Sequence, residues 1–329
     1  MDVKLDKMFK TKKDKIVSLY HKILARYPDD DGLNAYAKSD LSLDEIKNKL
    51  LFSDERNDLL FNQKLLIDVS KIYHHKSKVL DFYDTDTQEA FVKNKEQLGK
   101  EWIWYDKPIT YKINSLGYRM KEFKDIDWSN YIAVFGCSYT VGTGMPVEDL
   151  FSTKISEELN ADIVNAAIPG GSNNTILINL NKLLSKKAPP KLIICNWTHL
   201  TRWSYLHGDT IIRHGITKLL PIENYYDEAY INYLENDIQM QGTFVEMKKQ
   251  VDTLCKYANV PVWHITPLSE YNFDKSIEKI IPNNSMNTID EINYNVARDY
   301  LFNTITHPGY EYNNKVYSRW KQVKQNLGF

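Results

Sequence analysis

Apolar residues recur at helical spacing near the start of the chain. Ile16, Leu19, Tyr20, Ile23, Leu24 and Tyr27 share one face before Pro28 and Asp29-Asp30-Asp31-Gly32 break the run. Ser42-Leu43-Asp44-Glu45 has the form of a capping box, with Ile46 and Leu50 extending an apolar face behind it. A third helix is predicted over residues 54–73. Three short helices make a small helical domain, residues 1–80. The acidic triplet lacks the alternating acids and closing Glu of a calcium loop and reads as a solvated turn. A polar stretch over 85–100 and the aromatic-rich EWIWYDKPITYKINSLGYRMKEF form a linker and lead-in, residues 81–130.

From Tyr131 the period changes. Short apolar runs at 131–135, 162–165, 191–195 and 260–265 alternate with helical patterns at 147–159, 176–184 and 244–257, and a last helix includes Val316, Tyr317, Trp320 and Val323. Pro189-Pro190 closes the second helix, and Pro261 belongs at the start of its strand. Strands alternating with helices predict an open, mostly parallel α/β sheet over 131–329. In such sheets chemistry gathers at the carboxyl ends of the strands, where Ser138, Asn165 and Asn196 fall.

Composition narrows the function classes. The 329 residues are 43% hydrophobic, enough for a sizeable core, and 42 basic against 43 acidic residues leave a net charge of -1. That balance argues against a general nucleic-acid or anionic-membrane binder. The charged start MDVKLDKMFKTKKDK lacks the apolar core of a signal peptide, and no run of about 18 apolar residues occurs. A soluble protein, cytoplasmic or part of a viral particle, is the expectation. Cys137, Cys195 and Cys255 are widely spaced with no C-x-x-C pair and read as reduced core thiols. The histidines show no H-x-x-x-H or H-E-x-x-H spacing, so neither metal nor cofactor is expected.

The stretch FGCSYTVGTG, residues 135–144, ends the first strand of the sheet. It has no Lys for a phosphate loop, and Ser138 and Val141 stand where a dinucleotide fingerprint counted from Gly136 needs glycines. What remains is a serine hydroxyl just past a buried strand, before a helix whose N–H groups are unpaired. A serine ester hydrolase needs such a nucleophile, a His to take its proton, and donors aimed at the developing oxyanion. VNAAIPGGSNN places Gly170 and Gly171 in the next strand-to-helix loop, and THPGY places His307 before the last helix. Alone, such a Ser is more often a helix cap and such a His-Pro-Gly more often a turn. Their joint order is far less expected by accident.

GCSYTVG, NAAIPGGSNN, the strand ending CNWTHLTRW and the final HPG resemble, in order, the sequence blocks of the SGNH or GDSL-type hydrolases, over about residues 113–324. The segment YKINSLGYR is similar to one found in the bacterial and phage branches. The resemblance implies a flavodoxin-like three-layer α/β/α fold, with Ser138 as nucleophile, Gly170 as backbone oxyanion donor and His307 as base. Two blocks depart from it. The third, normally G-x-N-D, reads Cys195-Asn196-Trp197-Thr198, so Asn196 is the expected oxyanion donor, with Thr198 in its place if the register is shifted. The acid normally three residues before the His is replaced by Thr304, which leaves Asp299 as the candidate partner of His307. LYHKILARYPDDDGLNAYAK followed by LLFSDER resembles a small helical family of unknown function found beside surface-glycan enzymes, over residues 14–58.

The expected reaction is removal of an acyl group, such as acetyl, from a glycan or other polar ester. Trp197, Trp203, Tyr205, Tyr225, Tyr226, Tyr230 and Tyr233 would supply a sugar-stacking surface. Trp197, Thr198 and Arg202 are the expected substrate contacts, Arg202 for an anionic group. Acyl transfer to a sugar uses the same residues. A different class also fits: a non-catalytic binding or structural module of a surface or viral assembly, docked through its N-terminal helices.

Overall fold

The computed structural model describes residues 11–24, 28–51, 65–70, 74–207, 210–214, 237–266, 287–288 and 309–329. The chain divides into two compact units, residues 1–64 with 206–211, and residues 65–205 with 212–329.

The first unit holds helices α1 (Lys12–Leu24), α2 (Asp30–Lys38) and α3 (Leu43–Leu51). Ile16 and Tyr20 of α1 meet Ile46 and Leu50 of α3 in a small core. The capping box at α3 is complete: Glu45 N–H donates to Ser42 Oγ at 3.2 Å, and Ser42 N–H donates to Glu45 Oε2 at 2.8 Å. The acidic triplet differs from its expected role as a turn. Asp29 is the N-cap of α2, accepting from Gly32 N–H at 2.7 Å, and Asp30 and Asp31 fill the first turn, where carboxylates complement unpaired N–H groups. The helix predicted over 54–73 lies mostly outside the described residues. Its described part, 65–69, is irregular and buries Leu66, Ile67 and Val69.

The second unit begins with β1 (Lys78–Leu80), helix α4 (Gln88–Leu98) and β2 (Tyr111–Ile113), with β1 and β2 antiparallel. Helix α4 falls in the stretch read as polar linker. Its charged residues face solvent, and Thr87 caps it by accepting from Ala90 N–H. Next come β3 (Tyr131–Phe135), the one-turn helix α5 (Ser138–Val141), α6 (Phe151–Glu158), β4 (Asp162–Asn165), α7 (Asn173–Lys186) and β5 (Leu192–Asn196). A two-stranded sheet of β6 (Trp203–His207) and β7 (Thr210–His214) precedes α8 (Asp237–Tyr257), β8 (Val262–Thr266), β9 (Asn287–Thr288) and α9 (Tyr310–Val323).

The main sheet runs β4-β3-β5-β8-β9, every neighbouring pair parallel. Numbered within the sheet this is 2-1-3-4-5, the flavodoxin-like order, whose direction reverses between β3 and β5. The two faces follow from strand alternation. Ile132, Val134, Leu192, Ile194, Trp263 and Ile265 pack under α6 and α9. On the other face Trp197, just past β5, and His264 of β8 meet Phe244 and Asp252 of α8. The result is three layers, α/β/α. Helix α7 buries Ile176, Leu180 and Leu183 on one face and ends before Pro189-Pro190, where the ladder lacks donors. The lead-in segment adds Trp104, Tyr111 and Ile113 to a cluster with Val141, Met145 and Leu150, behind the loop that follows β3.

Candidate active site

The switch between β3 and β5 is where this strand order opens a crevice, and the polar residues concentrate there. Ser138 is the first residue of α5, immediately beyond the strand, and is buried. Gly136 makes the turn possible. A Cβ there would lie 2.1 Å from Thr140 Oγ1 and 2.9 Å from the carbonyl of Asn196, so only glycine allows this approach. Gly142 ends α5 in the left-handed region at φ 75°. Among the described residues the Ser138 hydroxyl makes no hydrogen bond, and its N–H has no backbone acceptor.

The second loop is tied to the first through its backbone. Ile168 N–H donates to Gly136 O at 3.0 Å, and Asn165 Nδ2 donates to Thr140 O at 3.0 Å. Gly170 follows at φ 60° on an exposed turn, and its N–H likewise has no backbone acceptor among the described residues. The structure therefore joins the turns carrying Ser138 and Gly170 at one sheet edge.

The end of β5 contrasts with them. Asn196 spends both N–H bonds of its amide, on Thr140 Oγ1 at 2.9 Å and Tyr312 Oη at 2.8 Å. Thr198 is clasped by Asn173, which accepts from its N–H at 2.9 Å and donates to its carbonyl at 3.1 Å. Arg202 donates to Thr198 Oγ1 at 2.8 Å. Trp197 departs from its expected role as a substrate contact. Its ring is fully buried, edge-on to Phe244 and stacked on His264 with 5.7 Å between centroids, so no substrate reaches it.

Trp197 Nε1 donates to His264 Nδ1 at 3.1 Å, and His264 Nε2 lies 2.7 Å from Asp252 Oδ1. Since Nδ1 accepts, the imidazole proton sits on Nε2 and is donated to Asp252. Burial pushes the His264 pKa below the usual histidine range, with Asp252 only partly restoring it. Burial pushes Asp252 up, but His264 and Lys248, 2.9 Å away, outweigh it and hold the carboxyl below its ordinary value. This chain of side chains braces the end of β5 from beneath.

A second brace comes from the lead-in. Arg119 donates to the carbonyls of Val141 (3.2 Å), Gly142 (2.7 Å) and Met145 (2.9 Å) beyond α5, and to Thr110 O at 3.2 Å, while stacking on Tyr111. Three of these four carbonyl contacts from a buried guanidinium fix the backbone just past the turn that carries Ser138, and the fourth ties it to the lead-in.

His307 and Asp299 lie outside the described residues, as do Tyr225, Tyr226, Tyr230 and Tyr233. The chain is described again from Gly309, which is buried, two residues past His307. Anchors follow at once: Tyr312 Oη accepts from Asn196, and Asn313 Oδ1 accepts from Phe151 N–H at 2.9 Å. Tyr312, Asn173, His264 and Arg119 were not singled out from the sequence. Arg119 and Asn173 lie inside the motifs YKINSLGYR and GGSNN, and Tyr312 lies just after HPG, so proximity to the motifs was the available signal. His264 and Asp252 carried none. The three cysteines are buried and free, and burial raises Cys255 to about 12.

No family model and no curated protein matches the chain. Among solved structures it is similar to a carbohydrate esterase whose active site has catalytic and non-catalytic binding functions. That match has 12% identity, covers 68% of this chain and 82% of the other, and has a TM-score of 0.41. It is also similar to the esterase EstA of Pseudoalteromonas sp. (14% identity, 61% and 100% covered, TM-score 0.35). A third likeness is to an acetyl xylan esterase (15% identity, 59% and 99% covered, TM-score 0.34). Likeness at this level carries no weight for activity. No helix among the described residues is long and apolar enough to cross a membrane.

Proposed function

We propose that the protein is a serine ester hydrolase acting through an acyl-enzyme. One observation carries the reading. Ser138 begins a helix at the switch point of the sheet with a hydroxyl and N–H that are uncommitted among the described residues, in a turn tied to the loop that presents the N–H of Gly170. Such convergence of a nucleophile and unspent donors is what acyl transfer requires, and a helix cap has no use for it.

In the proposed reaction His307 takes the proton of Ser138 Oγ as that oxygen attacks the ester carbonyl. The oxyanion is held by the N–H groups of Ser138 and Gly170. The tetrahedral intermediate collapses, His307 returns the proton to the leaving alcohol, and water, deprotonated by His307, releases the acid and restores the serine. Asn196 has both amide protons engaged, and Thr198, which takes its place in the shifted register of the third sequence block, is the proposed third donor, with Arg202 donating to its oxygen. Asp299 is the proposed partner of His307. The proposed substrate is a small acyl group, such as acetyl, on a glycan or other polar ester, and Arg202 favours one with an anionic group nearby.

Covalent labelling with a fluorophosphonate, read by intact mass and peptide mapping, tests this. One adduct on Ser138, lost in Ser138→Ala and His307→Ala, is expected. A folded wild type that stays unlabelled would sink the enzyme reading and favour the binding module.

A further inference from the structure

The free flank of the edge strand β4 borders a cavity of about 530 Å³, within the range of small-molecule pockets. Its wall combines residues from the lead-in, the loop before α6, and β4. Met120, Pro146, Val147, Leu150 and Ile163 give it an aliphatic surface, and no aromatic ring lines it. That excludes the flat stacking face a sugar prefers and suits a hydrocarbon chain. Its charged groups are mostly cationic, Lys112, Arg119 and Lys121 against the carboxylate of Glu148, beside the neutral polar residues Thr110, Ser152, Thr153 and Asn165.

The cations differ in what they have left to give. Lys121 is paired with Asp162 at 2.6 Å, whereas Lys112 makes no ion pair among the described residues. Among the described residues, the Nε of the buried Arg119 and the hydroxyl of the fully buried Ser152 have no partner. Neither atom presents surface to the cavity, and the Arg119 head is committed to carbonyls, so Lys112 is the lining cation with charge left for a ligand.

We propose that this cavity is a binding site for an aliphatic carboxylate, the chain lying along Val147, Leu150 and Ile163 and the carboxylate meeting Lys112. The site is separate from the acyl-transfer crevice in its ligand but shares two walls with it. Arg119 holds the carbonyls beyond Ser138, and Asn165 holds the carbonyl of Thr140.

Isothermal titration of the full chain with decanoate, below its micelle-forming concentration, tests the proposal. Saturable one-to-one binding is expected, weakening about tenfold from decanoate to octanoate as two methylenes leave apolar contact. Decanol should bind at least fivefold more weakly than decanoate. Lys112→Glu, at an exposed position, should weaken decanoate about tenfold and leave decanol unchanged. Val147→Trp, which fills the half-exposed mouth, should weaken both. Fluorophosphonate-treated protein and Ser138→Ala should bind decanoate as wild type does, which separates this site from the crevice. Absence of saturable binding, binding undiminished in both Lys112→Glu and Val147→Trp, or binding abolished by Ser138→Ala would overturn the proposal.

Discussion

The turns after β3 and β4 and the end of β5 meet at the same sheet edge, yet they treat hydrogen bonds in opposite ways. At Ser138 and Gly170 the hydroxyl and N–H groups are left without partners among the described residues, while at Asn196 and Thr198 amide protons, backbone N–H and carbonyl are nearly all engaged. The difference separates two jobs. In the proposed reaction, groups kept for a passing substrate forgo internal partners, and the neighbouring strand end holds them in place by committing its own.

Thr198→Val gives the largest expected effect that sharpens this contrast. It removes the donor on the committed side proposed for the oxyanion, and kcat on p-nitrophenyl acetate should fall on the order of 100-fold to 1000-fold, beyond the modest loss of stability from leaving Arg202 without its acceptor. A fall below threefold would return Thr198 to a purely supporting role. Asn196→Leu breaks the other side. It strips Thr140 and Tyr312 of a shared buried partner, and chemical denaturation should show a loss of about 1–3 kcal/mol. Unchanged stability would show that the amide is not the clasp proposed.

The smallest effect concerns the brace beneath β5. The folded His264 pKa is depressed by burial, so the unfolded chain binds this proton at higher pH than the folded one does. The contribution to stability is therefore full above the ordinary histidine value of about 6.5 and is lost as pH falls from there towards the depressed folded value. Denaturation midpoints should drop between about pH 7 and pH 5 in wild type and drop less in His264→Phe. Equal pH dependence in both would remove His264 as the titrating group.

The strands β3, β5 and β8 were legible in the sequence because each is a short apolar run closed by polar residues, and the helices α1, α3 and α7 because their apolar spacing or caps are local. Boundaries moved where a local signal had two meanings. Asp29 to Asp31 reads equally as a turn and as a helix N-terminus, and only Leu33 and Tyr36 packing against the core of the first unit decide for the helix. Helix α4 was missed because a mostly charged helix shows little apolar period. Gly136 and Ser138 were legible because a strand end, a glycine and a hydroxyl lie within four residues.

By itself, then, the chain's pattern determined the parallel sheet and marked the turns that follow β3 and β4, since both depend on residues a few positions apart. Only the tertiary structure decided which polar groups are spent and which remain free. Asn196 meets Tyr312 across 116 residues and Trp197 meets His264 across 67. Such partners share no period and no motif; they are brought together by the layers of the fold, and hydrogen bonding extends only about 3 Å.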